Sequence, residues 1–161
     1  MVLGRERILR LAEGGLIGNF SIDCLGGAGY DLRVDRIYSL ESDSRLGVKD
    51  RKTPEIQEIM FETYTLPPGE YVLVETLEKV NMPPDLMARV LNRSTLFRCG
   101  CSLFNAVVDP GFKGTLTFGL KNLSMRDFTI ERHARIAQIV FERVEGETVE
   151  YDGKYQGGKV V

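Results

Sequence analysis

The chain reads as a series of short β-type segments that proline and glycine interrupt at close intervals. Pro67-Pro68-Gly69 precedes a run of β-forming residues at 71–75, and Pro83-Pro84 precedes another at 87–91. Proline and glycine favour turns, so runs bounded in this way are typical of strands. Short strands that follow one another without intervening helices predict a sandwich or a barrel rather than alternating β-α units.

Two further strands and one helix complete this prediction. The segment 115–121 alternates, and it presents three apolar side chains on one face: Leu116, Phe118 and Leu120. The segment 136–141 predicts another strand. Only 5–12 has the spacing of a short amphipathic helix, which Gly14-Gly15 would end. The sequence therefore predicts an all-β protein with a short N-terminal helix.

The length of 161 residues suits one domain with its own core, so we expect a single domain over 1–161. The segment 42–58 is polar and charged, which predicts a surface loop or an excursion from the sheet. The last residues, 151–161, hold three glycines and two lysines and almost no apolar anchor. Such a segment is typical of a tail that stays mobile until something orders it.

Composition limits the expected partners and location. The formal net charge of -2 does not indicate a nucleic-acid partner, and no run of about 20 apolar residues indicates a membrane. No signal peptide is visible, so we expect a cytoplasmic protein. The three cysteines, Cys24, Cys99 and Cys101, do not form a disulfide or zinc pattern with the single histidine, His133, and we expect them to be buried thiols.

The segment GGAGYDL at 26–32 places an aspartate directly after a run of small residues. Small residues let the backbone come close to a ligand or to a neighbouring strand. Asp31, at the start of a strand, can help to hold a hydrated magnesium ion. A glycine turn with Asp31 as its polar partner gives the same sequence, and the segment alone favours that simpler interpretation.

The segment NRSTLFR at 92–98 runs from a strand into a hydroxyl pair, Ser94 and Thr95, between Arg93 and Arg98. Arginine supplies a planar set of charge-assisted donors that suits phosphate oxygens, and hydroxyls and free backbone amides can add to it. This pattern indicates phosphate binding. A helix N-cap followed by a solvated arginine explains the segment equally well.

The segment VVDPGFKG at 107–114 predicts a tight β-hairpin in which Asp109 follows an apolar run. A partly desolvated carboxylate at this place can act as a base that activates a water molecule. Phe112 offers a flat apolar surface for a sugar or a base. The competing interpretation is that Asp109 only starts a turn, as aspartate often does.

Gln138 lies in the otherwise apolar segment RIAQIVF at 135–141. A buried amide requires hydrogen-bond partners. Those partners can be a phosphate or the backbone of a neighbouring strand.

Taken in order, AGYDL, NRST, VVDPGFKG, RIAQIVF and a glycine-rich tail with lysine resemble the dUTPase and dCTP deaminase superfamily, and archaeal-type dUTPases most of all. The resemblance covers nearly the whole chain from about Ala28, and four motifs in one order are more specific than any one of them. It implies a distorted jelly-roll, or β-clip barrel, with a short N-terminal helix. It also implies a homotrimer whose active sites lie between subunits.

The resemblance further implies a role for each motif. Asp109 would activate the water that attacks the α-phosphate of dUTP, releasing dUMP and pyrophosphate, while Asp31 would bind Mg²⁺ through water. The phosphates would be held by Arg93, Ser94, Thr95, Arg98, Gln138, Lys154, Tyr155 and Gln156. The base and the sugar would lie against Asn105, Ala106, Val108 and Phe112, with uracil read largely by backbone groups.

Departures from the family pattern favour one branch. Deaminases of the superfamily carry a glutamate, which shuttles a proton, where this chain has Gly119, and a Thr-Ala pair where it has Phe104-Asn105. Since glycine transfers no proton, dUTP hydrolysis is the expected activity. Phe112 in place of the usual dUTPase tyrosine, and a tail without the full glycine-serine motif, depart from typical dUTPases. The alternatives are a dCTP deaminase, alone or bifunctional, and a non-catalytic nucleotide-binding regulator.

Overall fold

The computed structural model describes all residues, 1–161, and the chain is mostly β. Helix α1 spans Arg5–Glu13 and helix α2 spans Ser94–Arg98, and a 3₁₀ turn covers Ile22–Cys24. The strands are β1 Ile17–Gly18, β2 Tyr30–Leu40, β3 Arg45–Leu46, β4 Arg51–Lys52, β5 Ile56–Ile59, β6 Thr63–Leu66, β7 Tyr71–Asn81, β8 Leu86–Asn92, β9 Cys101–Phe104, β10 Lys113–Asn122, β11 Phe128–Glu131 and β12 Arg135–Arg143. The predicted N-terminal helix and the four predicted strands are confirmed.

One eight-stranded sheet dominates the architecture. Its strands run in the order β8-β12-β2-β7-β10-β9, with β1 added to β7 and β5 added to β2. A bridge between Ala88 on β8 and Val108, just after β9, brings the two ends of this order together. The sheet is therefore a nearly closed barrel, which confirms the predicted all-β class. Two small sheets, β6–β11 and β3–β4, stand outside it.

The core lies inside this barrel, as the alternation of β10 predicts. Leu116, Phe118 and Leu120 are buried in one cluster of 31 buried residues, to which α1 contributes Ile8. Burial of an aliphatic or aromatic side chain of this size stabilises a fold by roughly 1.5–3 kcal/mol. The other face of β10, with Thr115, Thr117 and Gly119, is left for the site described below.

Several smaller predictions are settled by the fold. The segment 42–58 is an exposed excursion as expected, but it is not wholly a loop, since it contains the β3–β4 hairpin. His133 is exposed in a turn, with φ 65°.

Cys24 and Cys101 are buried free thiols, and burial raises the pKa of Cys101 to about 11. The expectation is wrong for Cys99, which is exposed just after the short α2. Neither helix has the length and apolar character needed to cross a membrane.

Candidate active site

A cavity of about 460 Å³ lies between the outer face of β7 and β10 and the C-terminal tail. Strand β10 contributes Thr115, Thr117 and Gly119, the segment before it contributes Ala106, Val108 and Asp109, and the tail contributes Tyr151, Tyr155 and Lys159. Most of the remaining wall is apolar. Asp109 is the only acidic residue that lines the cavity, and no arginine lines it.

The segment that carries Asp109 differs from the predicted tight hairpin. Strand β9 ends at Phe104 and β10 begins at Lys113, so residues 105–112 form a wide connection. The turn itself is at the expected place: the N–H of Phe112 donates to the carbonyl of Asp109 at 3.2 Å, with Gly111 at φ 79°. Val108 does not pair with β10. Its side chain is buried, and its backbone forms hydrogen bonds of 2.8 and 2.9 Å with Ala88 on β8.

This pairing changes what the segment can offer to a base. The backbone N–H of Val108 is already bonded to Ala88, and its carbonyl accepts one hydrogen bond from the same residue, which leaves that carbonyl one further lone pair for a base. Asn105 and Ala106 are exposed and form no backbone hydrogen bond within the chain. They keep the predicted capacity for backbone recognition.

Asp109 and Phe112 reach the same cavity in different ways. Asp109 is exposed in the single chain, whereas the sequence predicted a partly desolvated carboxylate. Phe112 is only 8% exposed, and the edge of its ring contacts Tyr151, with ring centroids 5.6 Å apart. Phe112 therefore forms part of the cavity wall rather than a free platform.

The tail, predicted to be mobile, lies in the structure against the beginning of β10. The N–H of Tyr151 donates to the carbonyl of Pro110 at 2.8 Å, and the N–H of Gly157 donates to the carbonyl of Lys113 at 2.8 Å. A Cβ on Gly114 would lie 2.6 Å from the carbonyl carbon of Gly157, so this contact requires glycine. The tail thereby holds Tyr155 at the cavity.

The two other tail residues predicted to bind phosphate have partners outside the cavity. Nζ of Lys154 donates to Oγ1 of Thr53 at 3.0 Å, in the excursion that follows β4. The amide of Gln156 is hydrogen-bonded to the backbone around Gly111 and Lys113.

A second group of predicted residues meets where β2, β8 and β12 are neighbours. Gln138 on β12 lies directly opposite Asp31 on β2 in the sheet register. Oδ2 of Asp31 lies 3.1 Å from Nε of Arg93 and 3.6 Å from a terminal nitrogen of Arg135. Two guanidinium groups around one carboxylate leave the group with a net positive charge, which suits a phosphate.

The small residues before Asp31 have a structural role in this group. A Cβ on Gly29 would lie 2.8 Å from the carbonyl oxygen of Ile139 and 3.0 Å from Cγ of Gln138. Glycine therefore lets β2 start in contact with the Gln138 side chain. This agrees with the close approach that the sequence indicated.

The other predicted residues of the NRSTLFR segment, Ser94, Thr95 and Arg98, lie away from the cavity. Arg93, not Ser94, is the N-cap of α2, so the predicted N-cap alternative is not observed at Ser94. Ser94 and Thr95 are exposed, and Arg98 is exposed with its guanidinium 5.6 Å from the ring centre of Phe97. None of the three lines the cavity.

The chain has one carboxylate that suits the expected magnesium ion, but it has no full set of protein ligands for it. No group of three His, Cys, Asp or Glu residues could enclose a metal ion. A hydrated Mg²⁺ needs only one or two carboxylates together with the phosphates of its ligand. Asp31, with 14% of its side chain exposed, is a carboxylate of that kind.

Sequence reasoning missed several residues of the site. Arg135 begins the RIAQIVF motif, yet only the structure shows that it lies beside Asp31. Thr117 alternates with core residues of β10, and this alternation was a visible signal that it lies on the outer face of the strand. Tyr151 and Lys159 line the cavity only because the tail folds back, and no local sequence pattern predicts this fold of the tail.

Comparison with known proteins places the chain in a family. The sequence model of the dCTP deaminase-like family matches residues 2–144. A protein of Methanothermobacter thermautotrophicus named probable deoxyuridine 5'-triphosphate nucleotidohydrolase is 37% identical over 129 residues, which cover 80% of this chain and 85% of that protein. A dCTP deaminase of Thermococcus kodakarensis is 39% identical over 145 residues, which cover 89% of this chain and 86% of the other.

Solved structures agree with this assignment at the level of the fold. The dCTP deaminase of Agrobacterium tumefaciens superposes with a TM-score of 0.71 at 18% identity, and the match covers 89% of this chain and 48% of that one. A dUTPase of Staphylococcus bacteriophage 80alpha superposes with a TM-score of 0.54 at 17% identity, and 90% and 94% of the two chains are covered. The chain belongs to the dCTP deaminase-like family. Its relatives include proteins named dCTP deaminase and proteins named probable deoxyuridine 5'-triphosphate nucleotidohydrolase.

Proposed function

We propose that the protein is a dUTP diphosphatase that hydrolyses dUTP to dUMP and pyrophosphate and works as a homotrimer. One observation carries the choice: Asp109 is the only acid that lines the cavity, and Gly119 presents no side chain to it. Hydrolysis at phosphorus needs one base for one water molecule. Deamination in this family, by resemblance, needs a further carboxylate at the position of Gly119.

In this proposal Asp109 acts as the general base. Its carboxylate accepts a proton from the water that attacks the α-phosphorus, a contribution of roughly 10²–10⁴-fold. Its place in the turn before β10 fixes it against the cavity wall. The bound ligand and a neighbouring subunit would remove the water that surrounds it in the single chain, which raises the strength of its interactions.

The group around Asp31 would supply the positive charge. Phosphoryl transfer depends on positioning and on charge stabilisation, and arginine binds phosphate oxygens strongly. Arg93 is held by Asp31, and Gln138 lies on the strand beside it. Since no arginine lines the cavity itself, a neighbouring subunit would bring this group to it. Magnesium on Asp31 would neutralise part of the triphosphate charge when bound.

A dCTP deaminase is the second candidate, because relatives with that name are as similar to this chain as the probable dUTPase. The absence of a carboxylate at Gly119 counts against it. A regulator that binds nucleotide without cleaving it would need neither Asp31 nor Asp109.

The test is to incubate the purified protein with Mg²⁺ and either dUTP or dCTP and to separate the products by ion-exchange chromatography. We expect dUMP and pyrophosphate from dUTP, and unchanged dCTP. Formation of dUTP or dUMP from dCTP would replace the proposal by a deaminase. No turnover of either nucleotide would refute both enzymes.

A further inference from the structure

The tail carries two lysines that the structure places differently. Lys154, which the resemblance assigns to the phosphates, donates to Oγ1 of Thr53 at 3.0 Å, outside the cavity. Lys159 lines the cavity instead, together with Asp109 and Tyr155. Since neither arginine nor histidine lines the cavity, Lys159 is its one cationic residue. The lysine that the motif predicts and the lysine that reaches the cavity are therefore different residues.

Two glycines hold Lys159 in this place. Gly157 and Gly158 have φ of 87° and 82°, in the left-handed region that favours glycine. The N–H of Gly158 donates to the carbonyl of Tyr155 at 3.1 Å, which closes a turn. A Cβ on Gly158 would lie 2.7 Å from the backbone nitrogen of Thr115, so the turn packs directly on β10. Lys159 follows this contact at once, so backbone packing fixes the point from which its side chain starts.

The ammonium group of Lys159 is free to bind a ligand. Its side chain is exposed and forms neither a hydrogen bond nor an ion pair within the chain. Asp109, the other charged residue at the cavity, is also exposed and unpaired. Arg93 and Arg135 differ, because both already bind the carboxylate of Asp31. A phosphate can therefore gain a charge-assisted hydrogen bond from Lys159 without the loss of an existing ion pair.

Opposite charges at one apolar cavity determine which part of a ligand suits it. The wall includes Leu73, Phe112 and Phe118, which suits an uncharged base and sugar. A carboxylate that accepts a proton from water and an ammonium that binds oxygen atoms of growing negative charge suit a phosphate under attack. In a nucleotide, the phosphate next to the sugar is the α-phosphate. The charges of Asp109 and Lys159 therefore match the part of the ligand that adjoins the apolar wall.

We propose that Lys159 is a further catalytic residue, which binds the α-phosphate of the nucleotide. The inference rests on the proposed function, because it takes the reaction to be attack of water on the α-phosphorus of dUTP. As the bond from the water oxygen to phosphorus forms and the bond to pyrophosphate breaks, Asp109 takes the proton. The ammonium of Lys159 stabilises the charge on the α-phosphate oxygens during this step. The group around Asp31 would then hold the other two phosphates.

The experiment compares Lys159→Met, Lys159→Arg, Lys154→Met and Lys49→Met. Methionine keeps the apolar stem and removes the charge, whereas arginine keeps the charge. Lys49 is the neutral control, since it is exposed in the β3–β4 connection and has no ion pair. All three lysines are exposed, so we expect every variant to fold. Calorimetry provides the Kd of deoxyuridine, of dUMP and of pyrophosphate, and initial rates with dUTP provide kcat and KM.

We expect Lys159→Met to bind dUMP about 5- to 20-fold more weakly, with the affinities for deoxyuridine and pyrophosphate unchanged. Its kcat should fall by about 10- to 100-fold. Lys159→Arg should recover kcat to within about fivefold of the wild type, because it restores the positive charge. Lys49→Met should equal the wild type in every measurement.

Three results would overturn the inference. One is a loss of deoxyuridine affinity in Lys159→Met as large as the loss of dUMP affinity, since deoxyuridine has no phosphate. Another is a larger fall of kcat in Lys154→Met than in Lys159→Met, which would return the role to the lysine that the resemblance implies. The third is a kcat of Lys159→Arg no higher than that of Lys159→Met.

This inference and the proposed function can fail separately. Weaker dUMP binding by Lys159→Met, in a protein that does not hydrolyse dUTP, would support the phosphate contact and refute the diphosphatase. Normal hydrolysis of dUTP by Lys159→Met would refute the role of Lys159 alone. A wild-type protein that binds neither dUTP nor dUMP would refute both.

Discussion

The side-chain carbonyl of Gln156 accepts a hydrogen bond from the backbone N–H of Lys113 at 2.8 Å. The amide nitrogen of the same side chain donates to the carbonyl of Gly111 at 3.0 Å. Both bonds tie the tail to the turn that carries Asp109. We expect Gln156→Ala to release the tail, so that amide hydrogen exchange in 151–158 accelerates by about tenfold, the factor for 1.4 kcal/mol of lost local stability.

The matching control for this variant is Gln57→Ala, since Gln57 is exposed on β5 and its side chain bonds only the adjacent Glu58 carbonyl. Exchange of the tail in Gln57→Ala should equal that of the wild type. Equal exchange in Gln156→Ala as well would mean that the glycine contacts and backbone bonds hold the tail without Gln156.

Asp109→Asn should reduce kcat for dUTP by about 10²–10⁴-fold, because an amide cannot accept the proton of the attacking water. The Kd of dUMP should change less than about threefold, since the substitution preserves size and Asp109 is exposed in the chain. Initial rates and calorimetry on the same preparations provide both values. Asp127→Asn, an exposed aspartate without an ion pair, is the control. A kcat within tenfold of the wild type would remove Asp109 from the role of base.

Gly119→Glu should destabilise the protein by about 1–3 kcal/mol, because the new side chain collides with the Tyr71 ring. Tyr71→Ala in the same chain should restore part of that loss, and urea unfolding of the two single variants and the double variant measures the coupling. Additive losses of stability would show that the collision is relieved in another way.

Much of the barrel could be predicted from the sequence because the signals are local. Proline and glycine mark the ends of strands, and the alternation of Leu116, Phe118 and Leu120 identifies the buried face of β10 correctly. The resemblance of four motifs to a known superfamily then predicted that these strands form a barrel. Local patterns also placed the turn at Asp109 and the strand that begins before Asp31.

The site was less predictable, because its contacts join residues far apart in the chain. Val108 pairs with Ala88, which lies 20 residues earlier in the chain, and the sequence pattern of a hairpin does not predict such a distant pairing. The contact of Tyr71 with Gly119 depends on the register of two strands that are 48 residues apart at these positions, as their numbers show. The hydrogen bonds of Gln156 likewise required the tail to fold back onto β10.

The stability of the fold should depend on pH through Asp35. Burial raises the pKa of this carboxyl, but hydrogen bonds from Arg132 at 2.9 Å and His133 at 3.1 Å outweigh burial and lower the pKa below its ordinary value. A carboxylate with a lowered folded-state pKa stabilises the fold above its unfolded-state pKa, and the contribution disappears as pH falls through the folded-state pKa. We expect Asp35→Asn to lose about 1 kcal/mol of unfolding free energy at neutral pH. The loss is this small because the Asp35 and Arg132 side chains are partly exposed and water screens their interaction. In urea titrations the difference from wild type should shrink steadily below about pH 4. A difference independent of pH would show that Asp35 acts through packing and not through its charge.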